Sequence, residues 1–179
     1  MKSFDDIKIS PPLCKKEIGE LAALLSANPQ LKEREHLLPF FRQRRHLSAY
    51  IGTLITGMCP NKIAYEYDLF GDFHADLVIG DTETNVFVFV EFQAGIGNIF
   101  RKRANKQTLE WSPEFEAGFS QLVDWFWSLD CMKQNVVKYK GIFHPNHDVP
   151  PKIWPMLIGC RGNGLGYNEK MRLEWRTDK

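Results

Sequence analysis

The stretch FHADLVIGDTETNVFVFVEFQ, residues 73–93, decides the fold. It contains two mainly apolar runs, 73–80 and 86–93, which are separated by the polar segment 81–85. Runs of this length, rich in β-branched and aromatic residues, predict two strands, and the short polar connection predicts a hairpin. The second run is apolar at nearly every position, which indicates a strand buried on both faces at the centre of a sheet.

Three polar side chains of this hairpin, Asp76, Glu91 and Gln93, carry the candidate chemistry. Alternate residues of a strand share a face, so Glu91 and Gln93 point the same way. Asp76, on the preceding strand, can lie beside Glu91. Two carboxylates and a carboxamide oxygen suit a hard divalent ion such as Mg²⁺, which would activate a water and stabilise charge on a scissile phosphate. A strand that simply becomes polar at its end explains the pattern equally well.

Further elements are predicted on both sides of the hairpin. Before it we expect two helical regions, the second with a kink or a restart at Pro39, and then a strand that ends in a turn at Gly71-Asp72. After it we expect a loop, a long helix capped by Ser112, a buried strand and a short terminal helix. The side chains of the long helix expected to face inward are Phe115, Phe119, Leu122, Val123, Phe126 and Trp127, and the tryptophans of the chain are expected to lie mostly in the core. The expected ranges are 14–27, 31–58, 63–70, 94–112, 112–130, 153–160 and 168–175, with 135–143 open between helix end and strand. This order predicts an α/β sandwich that begins with a meander.

The composition fits one soluble domain, or one domain with a helical annex, because the chain has 179 residues of which 44% are hydrophobic. The net charge of +1 excludes a polycation, so any nucleic-acid contact must come from local clusters of Lys and Arg. Four widely spaced cysteines indicate free, mostly buried thiols. We find no signal peptide and no run of about 20 apolar residues, and therefore expect a cytoplasmic protein with no membrane contact.

Several motifs resemble those of the PD-(D/E)XK nuclease superfamily. The segment 71–76 resembles its Gly turn followed by Asp, and Glu91-Phe92-Gln93 resembles its E-x-K element with Gln where Lys is usual. Gln121 with Trp125 resembles the Q-x-x-x-Y element of the RecB-like branch. The stretch 65–127 is also similar to the nuclease domain of Shedu-type bacterial antiviral defence proteins, and together with PMLIGCRG and MRLEW the likeness covers roughly residues 60–175.

This resemblance implies a restriction-endonuclease-like core, in which helices flank a central mixed sheet. We divide the chain into an N-terminal helical region, 1–58, that packs on a nuclease domain, 60–179. The family likeness further implies Mg²⁺ or Mn²⁺ at Asp76 and Glu91, cleavage of DNA in phage defence, and assembly into a homo-oligomer, with no small-molecule cofactor. Gln93 can neither act as a base nor carry charge, and can only orient a water or ligand by hydrogen bonds. A catalytically degenerate nuclease fold, used for nucleic-acid binding or assembly, is therefore the alternative.

Other polar residues are candidates for supporting parts. Glu66 could add a third carboxylate to the metal site, or it could keep an edge strand soluble. His74 could be a metal ligand, a proton carrier or a polar neighbour in the sheet. Gln121 is expected to hydrogen-bond the carboxylates or a metal-bound water; a plain surface position on an amphipathic helix is the alternative.

Two basic clusters complete the set. The first lies in the loop after the second strand of the hairpin and contains Arg101, Lys102, Arg103 and Lys106. These residues could contact a phosphate backbone, and Lys102 or Lys106 could supply the cation that is missing at position 93. Solvated loop charge is the plainer explanation. The second run, FRQRRH at 41–46, is interpreted as the exposed face of a helix.

Overall fold

A five-stranded mixed sheet forms the centre of the computed structural model, which describes residues 4–28, 31–69, 71, 73–93, 99–132, 150–159 and 165–177. In chain order the strands are β1 (Asp5–Asp6), β2 (Lys62–Leu69), β3 (Phe73–Asp81), β4 (Val86–Phe92), β5 (Phe100–Arg101), β6 (Glu110–Trp111) and β7 (Lys152–Ile158). The central sheet has the order β1-β2-β3-β4-β7, while β5 and β6 pair separately. Neighbouring strands of the central sheet are antiparallel, except for β4 and β7, which are parallel. The predicted hairpin is confirmed.

The helices within the described residues are α1 (Pro11–Ala27), α2 (Leu38–Gln43), α3 (Arg45–Thr56), α4 (Pro113–Met132) and α5 (Tyr167–Thr177). A π-helical turn, Glu33–Leu37, leads directly into α2. The restart expected at Pro39 is confirmed, and a second break at Arg44, whose backbone leaves the helical region, separates α2 from α3. The Ser112 cap is also confirmed, since the N–H of Phe115 donates to Ser112 Oγ over 3.1 Å.

Helices cover both faces of the sheet. On one face, α2 and α3 share a hydrophobic cluster with the sheet; its members include Phe41, Leu47, Ile51, Ile79, Val88, Val90 and Phe92. On the other face, α4 packs its buried side chains on the sheet; this second cluster includes Leu122, Trp125, Leu129, Val78, Phe87 and Phe89. All four central residues of β4, from Phe87 to Val90, are fully buried, as the sequence predicts. The architecture is consistent with a restriction-endonuclease-like fold.

Polar contacts join the N-terminal helices to each other and to the sheet. Glu17 Oε2 on α1 accepts the backbone N–H of Leu47 over 2.6 Å at the start of α3. The hydroxyl of Tyr65 on β2 donates to the carbonyl of Phe41 over 3.0 Å. Residues on both sides of the predicted boundary at 58–60 thus pack together, and the division into two regions stays a prediction.

Some predictions about burial are wrong. Val123 and Trp127 were expected to face inward, yet they are 52% and 69% exposed, because α4 turns the row Leu122, Trp125 and Leu129 toward the sheet. Likewise the tryptophans were expected to lie mostly in the core, but only Trp125 does so completely, while Trp127, Trp154 and Trp175 are exposed.

The remaining corrections concern the later strands and the cysteines. The strand expected to be buried at 153–160 is an edge strand of the described sheet, with half-exposed side chains, and the loop 94–112 contains the short β5–β6 hairpin. Cys14 is buried, as expected, but the free thiols Cys59 and Cys131 are exposed. Residues 135–143 and Cys160 lie outside the described residues. None of the described helices combines the length and the apolar character needed to cross a membrane.

Candidate active site

Asp76 and Glu91 occupy facing positions on neighbouring strands. The pairing of Leu77 with Val90 on the antiparallel strands β3 and β4, extended by one residue, places Asp76 opposite Glu91. At this point the side chain of Asp76 takes part in the pairing, because its Oδ2 accepts the backbone N–H of Phe92 over 2.8 Å. The side chain of Glu91 is hydrogen-bonded to Asp76 and to Gln121. The pair predicted from the sequence is therefore assembled.

In the β2–β3 hairpin, side chains two residues apart do not share a face at the position of Asp76, as they would in a regular strand pair. Tyr65 and Leu77 pair across the hairpin and pack toward α2 and α3, whereas the next pair, Tyr67 and Ala75, packs toward α4. Between these pairs lies Glu66, whose φ of 47° is in the left-handed region that residues other than glycine rarely adopt. This change of face brings Glu66 and Asp76 to the wall of one cleft.

This cleft has a volume of about 1040 Å³ and lies between the N-terminal helices and the end of the sheet. Each residue predicted for catalysis or metal binding lines it; these are Glu66, Asp76, Glu91, Gln93 and Gln121. His74 lines it as well. The charged side chains of the wall within the described residues are five carboxylates, Glu33, Glu66, Asp68, Asp76 and Glu91, and two guanidinium groups, Arg34 and Arg42. The cleft is acidic when these carboxyl groups are ionised.

Burial dominates the electrostatics of the pair. Desolvation, followed by the negative charges of Asp76 and Glu33, raises the pKa of Glu91 to about 9, against which the hydrogen bond from Gln121 acts. Desolvation also raises the pKa of Asp76, while the N–H of Phe92 and the hydrogen bond with Glu91 oppose that rise. Without a cation, burial and the repulsion between the two carboxylates therefore favour a pair that shares one proton at neutral pH.

Glu33 was not among the predicted site residues. It lies in the π-helical turn before α2, and burial together with the charge of Asp76 raises its pKa. No motif in the sequence marks it, because the turn reaches the cleft through helix packing that no local pattern encodes. Arg42 is exposed on α2, as the sequence predicts, and it also lines the cleft, where its Nη2 lies 2.5 Å from Glu66 Oε1.

The pair offers a divalent metal the ligands it prefers. Glu91 is only 5% exposed, and its Oε2 has no hydrogen-bond partner within the described part of the chain. A buried carboxylate oxygen in this state is costly unless a cation meets it. Among the described residues, no three His, Cys, Asp or Glu side chains form a ready-made metal cluster. Mg²⁺ commonly uses one or two carboxylates with waters and substrate phosphate, so Asp76 and Glu91 fit such an ion.

Gln93 is held tightly between two glycines. A Cβ atom at Gly118 of α4 would come within 2.8 Å of Gln93 Cγ, and one at Gly159 would come within 2.7 Å of Gln93 Cβ. The backbone N–H of Gln93 donates to the carbonyl of Ile158 over 2.8 Å. The carboxamide next to Glu91 is thus a positioned group rather than a loose chain end.

The predicted basic loop lies on the β5–β6 hairpin. Three of its cations surround Glu110, with Arg103 Nε at 2.9 Å, Lys106 Nζ at 2.6 Å and Arg101 Nη2 at 3.6 Å from the carboxylate. Lys102 is exposed. Neither Lys102 nor Lys106 lines the cleft, so the expectation that one of them supplies a cation there is not met: Lys106 is bound to Glu110 instead.

A mixed sheet with helices on both faces and a buried acidic pair on adjacent strands defines an α/β domain of the restriction-endonuclease-like class. The model of the family described as Shedu protein SduA, C-terminal, matches residues 30–179, and the chain belongs to this family. No curated protein and no solved structure gave a significant match to the chain.

Proposed function

We propose that this protein is a metal-dependent endonuclease that hydrolyses phosphodiester bonds of DNA and serves in bacterial antiviral defence. The observation that carries the proposal is the buried Asp76–Glu91 pair, with one unpartnered carboxylate oxygen, in the wall of an acidic cleft. Membership in the Shedu family supports the defence role and nuclease chemistry.

Asp76 and Glu91 are the proposed ligands, and Glu66 is a further candidate from the same wall. A Mg²⁺ or Mn²⁺ ion held by these residues would acidify a water and neutralise charge on the phosphate. Gln121 holds Glu91 in place through its amide hydrogen bond, and Gln93 orients a water or a phosphate oxygen. His74 remains a candidate ligand or proton carrier on the rim.

The charge of the cleft argues for a cation requirement. With all carboxyl groups ionised, five negative charges face two positive ones in the described wall, a surplus of three that repels a DNA phosphate. A divalent ion bound by Asp76 and Glu91 would remove two of these three negative charges and would attract the phosphate.

The basic cluster on β5 and β6 is the proposed DNA-backbone contact. Arg101, Lys102, Arg103 and Lys106 retain a net charge of about +3 after Glu110 is counted, and all four are exposed. Exposed ion pairs of this kind contribute little energy, so the three paired cations can exchange Glu110 for phosphate.

Cleavage of supercoiled plasmid DNA in Mg²⁺ and in Mn²⁺ tests the proposal. We expect nicking by the wild type and a loss of at least about a hundredfold in Asp76→Ala and Glu91→Ala. Glu83→Ala is the matched control, since Glu83 is an exposed carboxylate of the β3–β4 turn outside the cleft lining. Equal plasmid integrity with the wild type and Glu91→Ala, under both metals, would contradict the enzyme assignment.

A degenerate nuclease fold that binds DNA or assembles with other copies is the second candidate, and the neutral Gln93 favours it. Such a module can bind DNA without a metal at Asp76 and Glu91. Self-assembly and a cytoplasmic location stay predictions, which sedimentation of the purified chain and fractionation of cells would test.

A further inference from the structure

We propose that Arg42 is the cationic side chain that contacts the scissile phosphate in this cleft, in place of a lysine at position 93. This inference rests on the proposed nuclease function. It assigns a substrate-binding and catalytic role to a helix that precedes the sheet, rather than to the strand that carries Glu91.

The position of Arg42 carries the first step of the argument. Arg42 lies in the last turn of the short helix α2, and its guanidinium group pairs with Glu66 of β2, with Nη2 at 2.5 Å from Oε1. It lines the same cleft wall as Asp76, Glu91 and Gln93. The side chain thus faces the cleft that holds the carboxylate pair, although it belongs to a helix and not to the central strands.

The neighbouring arginines show that this placement is selective. Arg44 Nε pairs with Glu20 Oε2 at 2.7 Å, and its guanidinium lies over the Phe40 ring. Arg45 pairs with Asp5 and with the backbone carbonyl of Asp6, both on the edge strand β1. Three arginines that are close in sequence therefore serve three different places, and Arg42 is the one of these three that lines the cleft.

The second step concerns how readily Arg42 can exchange partners. The side chains of Arg42 and Glu66 are 42% and 45% exposed, and an ion pair this open to water contributes little net energy. The pair orients the guanidinium in the free protein but does not bind it strongly. A phosphate can accept two parallel, charge-assisted hydrogen bonds from the planar guanidinium group. A lysine ammonium cannot form this bidentate arrangement as well.

The third step is the chemistry at the phosphate. In hydrolysis a water oxygen bonds to phosphorus as the phosphorus–oxygen bond to one sugar breaks, the water gives up a proton, and the leaving oxygen gains one. Negative charge develops on the phosphate and on the leaving oxygen before proton transfer is complete. The guanidinium group of Arg42 donates N–H groups to a non-bridging oxygen as a positively charged donor, whereas the Gln93 carboxamide can donate only as a neutral group.

Single-turnover cleavage of a DNA duplex in Mn²⁺, paired with duplex affinity measured in Ca²⁺, tests the inference. We expect Arg42→Gln to lower the cleavage rate constant at least about a hundredfold while changing the affinity less than about fivefold. Arg42→Lys, which keeps the charge, should recover part of the rate. Arg45→Gln is the control, because Arg45 has the same exposed fraction of 42% and lies outside the cleft lining.

The outcomes separate this inference from the function on which it rests. If the wild type cuts DNA and Arg42→Gln cuts within threefold of it, the role of Arg42 is wrong while the nuclease assignment stands. An equal loss in Arg45→Gln would likewise overturn it. If the wild type itself leaves the duplex intact, the proposed function fails, and the role of Arg42 fails with it.

Discussion

The carboxyl group of Glu91 is hydrogen-bonded to that of Asp76, the residue directly across the β3–β4 ladder, and Asp76 also accepts the N–H of Phe92. Two carboxyl groups this close in a buried site cannot both ionise without a compensating charge. In the metal-free protein we therefore expect the pair to share one proton, which a bound cation would replace. The relationship links the fold directly to a measurable property, the pH dependence of stability.

We predict that the metal-free protein loses stability as pH rises from about 5 to about 9. The pKa of Glu91 rises from 4.5 to about 9 on folding, so in this window the folded chain keeps a proton that the unfolded chain has lost. The unfolded state then binds fewer protons, and stability falls with rising pH by at most about 1.4 kcal/mol per unit for one group. Below pH 4.5 both states are protonated and this contribution is fully present.

Glu91→Gln removes this titration and is the comparison to make. The free energy of unfolding is measured with urea in EDTA at pH 5, 6.5 and 8. Relative to the wild type, that of the variant should increase at each step, because glutamine stays neutral at every pH. Parallel stability curves for the two proteins would show that Glu91 ionises in the folded state as readily as in the unfolded state.

The two glycines around Gln93 lead to a second prediction. Gly118→Ala should displace the side chains of Gln93 and Leu157 and lower cleavage with a modest loss of stability, since the added Cβ would lie 2.8 Å from Gln93 Cγ and 2.7 Å from Leu157 Cδ1. Gly159→Ala should cost more, about 1–3 kcal/mol, because its Cβ would also lie 3.0 Å from the Gln93 carbonyl oxygen. Denaturant unfolding and cleavage rates measure both effects.

Gly19→Ala provides the control within the same chain. A Cβ at Gly19 would meet nothing within 4 Å, and the position lies inside α1, so this substitution should stabilise by about 0.5–1 kcal/mol. A Gly118→Ala protein with wild-type cleavage would mean that the position of Gln93 does not matter for activity.

Backbone strain at Glu66 gives a third prediction. At a φ of 47° alanine carries the steric cost of the left-handed region and glycine does not, so Glu66→Gly should be more stable than Glu66→Ala by about 1 kcal/mol. At Lys62, on the same strand, the order should be reversed. Chemical denaturation of the four variants makes the comparison, and an alanine variant at least as stable as the glycine variant at both positions would contradict the strain.

The basic hairpin gives a fourth prediction, on DNA affinity. Arg103→Gln with Lys106→Gln should reduce the slope of log affinity against log salt by about two, and Glu110→Gln should tighten binding at low salt by freeing three cations. Fluorescence anisotropy with a labelled duplex measures both. Lys16→Gln, a 72% exposed lysine on α1, is the control, and a slope shared by the double variant and this control would exclude the hairpin from the DNA contact.

The sequence predicts the central hairpin and its acidic pair well because that information is local. Alternation along two short strands places Asp76 and Glu91 side by side, and the apolar residues of the run 86–93 bury it on both faces. The capping serine at Ser112 is likewise a short-range signal that the structure confirms.

Other parts of the cleft could not be predicted in this way. Glu33 and Arg42 reach it from helices that are adjacent to the sheet only after folding, and neither the π-helical turn nor the break at Arg44 has a sequence pattern of its own. The inward face of α4 is another part that local sequence does not predict. Val123 and Trp127 are apolar and yet exposed, because the helix is oriented so that Trp125 packs against the sheet.

Calorimetric titration of the metal-free protein with Mn²⁺ tests the central claim, a divalent metal site at Asp76 and Glu91, most directly. The account predicts saturable binding by the wild type and by Glu83→Ala, and loss of that binding in Glu91→Gln and Asp76→Asn, with all four proteins folded by circular dichroism. Binding that is equally strong in Glu91→Gln, or no binding to the wild type, would contradict the account.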